Sequence, residues 1–177
     1  MEREKWARRD VHSGPLDEWM RKPFIKQHYF ECMRITLPKA MSSPLAEEVG
    51  WHLGDGSMNF YKGKGFYQLR GHIKDDRAHY DSRINDIFKG LYGVYPSMRS
   101  MESTGVYGFQ LWSDTLVNFK ESLGLPLGKK IDFSIPKIIL KNEWKKAFIR
   151  GFFDTDGCLY VQNKRGKPYP RIEMGSV

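Results

Sequence analysis

The amino-acid sequence predicts an α+β fold in which one helix–strand–strand unit occurs twice, and two observations support this prediction. Two stretches have the apolar spacing of a helix with a glycine in the middle, Gly50 in the first and Gly151 in the second. Each stretch leads through an aspartate and a glycine into strand-like alternation, and an alignment of Asp55 with Asp156 also aligns the two glycines. The chain therefore contains an internal repeat.

The overall composition points to a globular protein with a polyanionic partner. The chain has 177 residues, of which 40% are hydrophobic and 28% charged, and its net charge is +8 at pH 7. A basic balance of this size favours DNA or RNA as the partner. No run is long and apolar enough for a membrane span, and Cys32 and Cys158 form no disulfide or zinc pattern. An intracellular protein is expected, cytoplasmic in a prokaryote and organellar in a eukaryote.

Residues 1–43 are predicted to form a basic N-terminal extension that is rich in aromatic residues. Its positive charges favour an arm that lies on a phosphate backbone. Packing of its aromatic side chains on the core is an equally good interpretation. This prediction depends on the basic residues Lys5, Arg8, Arg9, Arg21, Lys22, Lys26, Arg34 and Lys39.

The first repeated helix is predicted to begin at Ser42-Ser43-Pro44, where serine suits the cap and proline the first turn. Glu47 and Glu48 are interpreted as partners of the positive end of the helix dipole. Glycine inside a helix costs about 1 kcal/mol relative to alanine. We therefore expect Gly50 to allow close approach of the helix that carries Gly151. This pairing would bring together the aspartates at the ends of the two helices.

A predicted β-hairpin follows, with strands over residues 57–62 and 66–74 and a turn at Gly63-Lys64-Gly65. The second strand alternates between an apolar face and a polar or basic face. A solvated surface is the simplest interpretation of a polar face, but this face contains no acid and would suit a polyanion. The residues expected to contact nucleic acid are Tyr61, Lys62, Lys64, Gln68, Arg70, His72 and Lys74.

The first unit, residues 44–127, continues with a predicted helix over 78–91, a hairpin over 97–112 and a helix over 115–123. This order gives an αββαββα unit whose four strands form one sheet. Arg99 in the second hairpin is a further expected contact. The aspartates near the middle helix are interpreted as caps and dipole partners rather than metal ligands; they are Asp75, Asp76, Asp81 and Asp86.

Residues 128–142 are predicted to form a connector, and residues 143–177 a second unit whose hairpin turns at residues 164–167. The later helix, hairpin and helix of the first unit have no second copy in the sequence. We therefore expect an incomplete second unit, truncated after its first hairpin, which a second chain could complete. The expected nucleic-acid contacts of this unit are Tyr160, Gln162, Lys164, Arg165, Lys167 and Arg171.

The two motifs resemble those of the LAGLIDADG family of homing endonucleases. Gly50 and Gly151 match the glycine of the family motif, and Asp154-Thr155-Asp156-Gly157 matches its closing acid-x-acid-Gly. Gly54-Asp55-Gly56 matches the common variant with a single acid. The resemblance covers roughly residues 44–177. It implies a LAGLIDADG endonuclease-like αββαββα fold with pseudo-two-fold duplication, in a single, monomeric chain encoded by an intron.

The resemblance also implies metal-dependent cleavage of double-stranded DNA at a specific site. Asp55 and Asp156 would be the metal ligands, and Mg²⁺ is the expected ion because hard cations prefer oxygen ligands. Asp154 is interpreted as a cap or packing residue. The family places a lysine near the site after a Gly-basic-Lys segment, and Lys130 matches it, with Lys129 as second choice; a basic linker is the alternative.

The remaining catalytic assignments are electrostatic. Lys130 would stabilise the transition state or polarise water, and Gln68 or Arg70 would orient that water. The basic strand faces would lie in the major groove, where Arg and Gln read base edges while Lys follows phosphates.

Two alternatives remain. One is a binding protein on the same fold, either a splicing maturase that grips intron RNA or a DNA-binding regulator. The other is an inactive or split endonuclease.

Overall fold

The computed structural model describes residues 35–130 and 133–175. The predicted N-terminal extension therefore lies outside the described residues, except for residues 35–43. In the described part of the chain, no helix is both long and apolar enough to cross a membrane.

Helices and antiparallel strands alternate along the chain, which confirms the predicted α+β class. The first unit contains α1 (Ser43–Gly54), β1 (Gly56–Tyr61), β2 (Lys64–His72), α2 (Arg77–His79), a π-helical segment (Tyr80–Ile84), α3 (Asn85–Tyr92), β3 (Arg99–Met101), β4 (Val106–Trp112) and α4 (Asp114–Ser122). The second contains α5 (Asn142–Asp156), β5 (Gly157–Lys164) and β6 (Lys167–Met174). The single helix predicted over 78–91 is thus helical throughout but includes a π-helical segment.

The strands of the first unit form one antiparallel sheet in the order β1-β2-β4-β3. Tyr67 and Leu69 on β2 are fully buried, whereas the residues that alternate with them, Phe66, Gln68 and Arg70, are only half-buried. One face of the sheet therefore lies on the core and the other is open, as the alternation in the sequence predicts. Strands β5 and β6 form a separate two-stranded sheet.

The hairpins β1–β2 and β5–β6 each turn through two residues that have positive φ. The turn of the first is Lys62-Gly63, with φ of 51° and 76°, and that of the second is Arg165-Gly166, with φ of 52° and 75°. Such two-residue turns require the left-handed region at both positions. The predicted turn at Gly63-Lys64-Gly65 is therefore wrong, since Lys64 and Gly65 belong to β2. Gly65 lacks a side chain for another reason: a Cβ there would lie 3.0 Å from the Cα of Asp114.

Helices α1 and α5 pack backbone to backbone through the two motif glycines. A Cβ on Gly50 would lie 2.5 Å from the carbonyl oxygen of Phe148. A Cβ on Gly151 would overlap the carbonyl group of Glu47 and lie 2.9 Å from its carbon. A side chain at either position would force the helices apart, so this contact accounts for glycine inside both helices.

The glutamates of α1 are buried, so their interpretation as partners of the helix dipole is wrong. Glu47 accepts hydrogen bonds from Arg83, at 2.7 and 3.0 Å, and from Arg150 on α5. Burial alone would raise the pKa of Glu47, but these hydrogen bonds outweigh it and lower that pKa. Glu48 pairs with Lys120 of α4 deep in the core. The two carboxylates thus tie α1 to its neighbours.

The second hairpin exposes the face that the first hairpin buries. Met58 and Tyr67 form a cross-strand pair with both residues fully buried. Leu159 and Ile172 pair at the same distance from their aspartate–glycine sequence, and they are 66% and 67% exposed. In the described part of the chain, no helix covers this apolar face as α4 covers β2.

The outer edge of β6 carries two prolines, Pro168 and Pro170. Pro168 is the second residue of β6, and Gly65 is the second residue of β2, so the two positions are equivalent. The backbone N–H of Gly65 points away from β1, towards the carboxylate of Asp114, and its carbonyl oxygen accepts from Ser113. Because alternate residues face the same edge, both prolines stand where β6 would donate to an outer strand.

Candidate functional site

Asp55 and Asp156 lie side by side at the ends of the paired helices. Asp55 caps α1, and its backbone N–H donates to the carbonyl of Trp51 at 3.0 Å. Asp156 is the last residue of α5. A Cβ on Gly54 would lie 3.3 Å from Oδ2 of Asp156, so the second aspartate touches the residue that precedes the first. The close packing at Gly50 and Gly151 therefore sets the separation of the two carboxylates.

Both carboxyl groups bind protons more tightly than a solvated aspartate does. Burial raises the pKa of Asp55 from 3.8 to about 6, and the negative charges of Asp156 and Asp76 add to this effect. Burial also raises the pKa of Asp156, while the positive charge of Lys130 opposes that rise. A site that disfavours two carboxylate charges in this way gains when a cation enters it.

Lys130 lies against the end of α1, close enough to both aspartates to interact with their charges. Its ammonium group donates to the carbonyl oxygens of His52 at 3.3 Å and Leu53 at 2.8 Å, and to that of Gly54. Burial lowers the pKa of Lys130, and the charges of Asp156 and Asp55 oppose this shift. In this structure, Lys130 caps the last turn of α1 and also provides the positive charge of the site.

Two further acids lie near this centre and behave differently. Oδ2 of Asp154 is 3.7 Å from Nε2 of His79, which fits its interpretation as a packing residue. Asp76, predicted to be a cap, is at the N-cap position of α2 but makes no capping hydrogen bond with its side chain. Its carboxylate accepts instead from the backbone N–H of His72. Its charge nevertheless reaches Asp55. This effect on Asp55 was not predicted, because the sequence does not show that the loop after β2 folds back over Gly71. A Cβ on Gly71 would lie 3.0 Å from the Cβ of Asp76.

The open face of the first sheet carries most of the predicted nucleic-acid contacts. Gln68 donates from Nε2 to Oγ of Ser57 at 2.7 Å, two residues after Asp55, so it lies at the end of the sheet nearest the aspartates. Arg70 and Arg99 both pair with Gly108 and so form one row across the sheet. Of the remaining predicted contacts, Tyr61, Lys64 and His72 are on the strands, while Lys62 and Lys74 are in the loops at the ends of β2.

Two residues of this face were missed by the sequence analysis. Gln110 pairs with Gln68, and Trp112, 44% exposed, pairs with Phe66. The alternation over residues 106–112 was visible, but a single strand does not indicate which of its faces borders a polar neighbour. The sheet register supplies that information.

The second hairpin presents a similar polar face. Tyr160 pairs with Arg171, Gln162 with Tyr169 and Lys164 with Lys167, while Arg165 is in the turn. All the contacts predicted for this unit therefore lie on one face or at its tip. Glu173 lies on the same face and accepts a hydrogen bond from the Tyr160 hydroxyl. This acid makes the second face less basic than the first.

The centre provides oxygen ligands but few of them. Within residues 35–130 and 133–175, no group of three or more His, Cys, Asp and Glu side chains forms a metal site. His52, next to the centre, is fully buried, and burial together with the charges of Lys120 and Lys130 holds its pKa well below the usual range. Two carboxylates are sufficient for Mg²⁺ when water and substrate phosphate supply the other ligands.

Comparison with solved structures found chains that are similar to this one. No family model matches the chain. A solved structure of mesophilic variants from the homing endonuclease I-DmoI is 17% identical, with a TM-score of 0.46 over 66% of this chain and 59% of that chain. The I-LtrWI LAGLIDADG homing endonuclease bound to target DNA is 12% identical, with a TM-score of 0.40 over 68% of this chain and 60% of that chain. The chain thus spans about 60% of each of these proteins.

Proposed function

We propose that this chain is a metal-dependent endonuclease that cuts double-stranded DNA at a specific site. The observation that carries the proposal is the convergence of Asp55, Asp156 and Lys130 at the end of a tightly packed helix pair. Basic, open strand faces lead away from this centre on the first hairpin and the second. A metal centre flanked by positive surfaces suits a phosphodiester in duplex DNA.

The two aspartates suit a hard divalent cation such as Mg²⁺. Their raised pKa values reflect burial and, for Asp55, repulsion by Asp156, and a divalent cation relieves both effects. When bound, the ion would supply an activated water as nucleophile and neutralise the leaving oxygen. Asp55 and Asp156 would each serve one DNA strand. Their short separation would place the two cuts close together across one groove.

Lys130 and Gln68 are proposed to assist from the protein side. The ammonium group of Lys130 has the positive charge needed beside a phosphate that gains negative charge in the transition state. Its hydrogen bonds to the end of α1 hold that charge in place before substrate arrives. Gln68, fixed by Ser57 near the aspartates, would orient the attacking water.

The sheet faces are proposed to follow the major groove. A two-stranded ribbon fits this groove, and Arg and Gln match guanine and adenine edges there. Arg70, Arg99, Gln162 and Arg171 are the proposed base readers. The lysines on the strands and in the loops next to them would contact phosphates, and they are Lys62, Lys64, Lys74, Lys164 and Lys167.

The first test is a plasmid-nicking assay on DNA that carries the flanks of the gene's own insertion site, with Mg²⁺ or with EDTA. We expect wild-type protein to cut at one place only with metal, and Asp55→Asn and Asp156→Asn each to nick one strand or to be inactive. Asp154→Asn is the matched control, because that carboxylate is two residues away and lies against His79. It should retain activity.

Binding without cleavage would instead favour the alternative of a binding protein. Affinity measurements with duplex DNA and with intron RNA then identify the partner. Asp55→Asn should leave that affinity unchanged, and Arg70→Ala should weaken it. If cleavage appears only after a second polypeptide is added, the chain is half of a split enzyme. Pro168 and Pro170 argue against a partner that adds a strand next to the tip of β6.

A further inference from the structure

Tyr80 is a buried polar residue that the proposed mechanism does not yet use. The residue is only 2% exposed. Its hydroxyl oxygen is buried and has no hydrogen-bond partner among the described protein groups. Buried hydroxyl groups nearly always bond to protein or to ordered water. The Tyr80 hydroxyl therefore requires a partner that residues 35–130 and 133–175 do not supply.

The position of Tyr80 brings it to the end of α1. Tyr80 is the first residue of the π-helical segment, and such segments are frequent at functional sites. The ring of the preceding residue, His79, lies 5.5 Å from the ring of Trp51. Trp51 in turn accepts the backbone hydrogen bond of Asp55, at 3.0 Å. The helix carrying Tyr80 thus packs on α1 one turn before Asp55.

Asp76 approaches the same place from the loop after β2. The backbone N–H of Tyr80 donates to the carbonyl of Asp76 at 3.0 Å. The carboxylate of Asp76 lies over Gly71, whose missing side chain leaves room for it. Beyond the effect of burial, the charges of Asp55 and Asp76 both raise the pKa of Tyr80. Charge from Asp76 also reaches Asp55. The Tyr80 side chain therefore lies near enough to Asp55 and Asp76 for their charges to act on it.

We propose that the Tyr80 hydroxyl holds an ordered water molecule against the Asp55 carboxylate, which makes Tyr80 a positioning residue for this half of the site. A buried water needs two to four polar partners, and Tyr80, Asp55 and Asp76 supply three. Carboxylates that bind metals are themselves commonly held by such outer hydrogen bonds, which fix their orientation. The catalytic consequence of this inference rests on the proposed endonuclease function.

The first test is structural and needs no activity. A high-resolution crystal structure of the wild-type chain should contain a water within hydrogen-bond distance of both the Tyr80 hydroxyl and an Asp55 oxygen. The same water should be lost or displaced in Tyr80→Phe. A dry space beside the hydroxyl in the wild-type structure would overturn the inference, whether or not the protein cuts DNA.

The second test uses strand-resolved cleavage kinetics on DNA with each strand labelled separately. Tyr80→Phe should slow the strand that Asp55→Asn leaves uncut by about 10-fold, the low end expected for an outer hydrogen bond to a metal ligand. The other strand should stay within about twofold. Tyr107→Phe is the control, because its ring lies 6.1 Å from that of Tyr80 while its hydroxyl bonds to Asp81. Equal loss on both strands in Tyr80→Phe would contradict the inference.

These outcomes separate the inference from the proposed function. If wild-type protein cuts no DNA, the endonuclease proposal fails, and the crystallographic test still decides whether Tyr80 holds the water. If wild-type protein cuts and Tyr80→Phe cuts both strands at the wild-type rate, the positioning role fails while the endonuclease proposal stands.

Discussion

The ammonium group of Lys120 contacts both carboxylate oxygens of Glu48 inside the core, and neither side chain reaches solvent. The hydroxyls of Tyr67 and Tyr92 donate to the same carboxylate at 2.9 and 3.2 Å. The ammonium group also lies 4.5 Å from the ring centre of Tyr67 and 5.6 Å from that of Tyr92. These contacts satisfy a buried ion pair that joins α1 to α4.

Lys120→Met is expected to lower the free energy of unfolding by about 3–5 kcal/mol, because it leaves the Glu48 charge buried without a partner. Urea denaturation followed by circular dichroism measures this loss. The double variant Glu48→Leu/Lys120→Met removes both charges and should recover most of the lost stability. If the double variant is no more stable than Lys120→Met, the ion pair itself contributes net stability to the core.

Gly151→Ala should destabilise the protein by roughly 1–3 kcal/mol, the usual cost of overpacking. The added methyl group would overlap the carbonyl of Glu47 and push α5 away from α1. DNA cleavage should fall as well, since the same packing holds the two aspartates together. Gly90→Ala, inside α3 with no atom near the added methyl group, is the matched control and should stabilise by about 0.5–1 kcal/mol. Thermal unfolding of the two variants shows whether helix propensity or close packing determines the effect of the added methyl group.

The stability of the protein should depend on the ionisation of Asp55. Its pKa rises from 3.8 to about 6 on folding, so the folded state binds this proton more tightly than the unfolded state does. The resulting stabilisation is complete below pH 4 and is lost as the pH rises through 6. In Asp55→Asn, the side chain at this position does not titrate between pH 4 and pH 7. Its stability relative to wild type should therefore increase from pH 4 to pH 7, as measured by urea denaturation. A constant difference would show that Asp55 is ordinarily solvated.

Binding of Mg²⁺ or Mn²⁺ should weaken as the pH falls through 6, because protons compete with the metal for the carboxylate of Asp55. Isothermal titration calorimetry between pH 5 and pH 8 measures this dependence. Lys130→Met should move the onset to higher pH, since Lys130 now lowers the pKa of Asp55 and of Asp156. Lys129→Met, at the exposed neighbouring lysine, should leave the onset in place.

The exposed face of the second hairpin should tolerate charge. Leu159→Lys is expected to change stability by no more than about 0.5 kcal/mol, as is usual for surface substitutions. Met58→Lys, at the equivalent position of the first hairpin, buries an unpaired charge and should unfold the protein. Comparison of the two unfolding curves tests whether the face is open. A large loss in Leu159→Lys would mean that another part of the polypeptide covers it.

Local patterns in the sequence were enough to predict the helices, the strands and the approach of Asp55 to Asp156. Each motif glycine belongs to a short helical pattern, and the alternation along β2 extends over only a few residues. Such patterns can be recognised without knowledge of the fold. The Glu48–Lys120 pair could not be predicted in this way. Its members are far apart in the chain, and Glu48 resembles any acid near the start of a helix.

The residues around Asp55 show the same limit. Asp76 lies in the loop after β2, and Tyr80 is the first residue of the π-helical segment. No composition or spacing signals that segment. The predicted turn at residues 63–65 was wrong for a related reason, since Gly65 serves close contact with α4 rather than the turn. Tertiary contact, rather than backbone conformation, explains this glycine.

Pro168 and Pro170 have a consequence for the behaviour of the protein in concentrated solution. An unpaired strand edge next to an apolar face is a template on which identical chains can stack into aggregates. Along the half of β6 next to its turn, the two prolines remove the amide hydrogens that such stacking would use. Lys164, Arg165 and Lys167 add mutual charge repulsion at the tip. The hairpin therefore combines an open apolar surface with a built-in barrier to self-association.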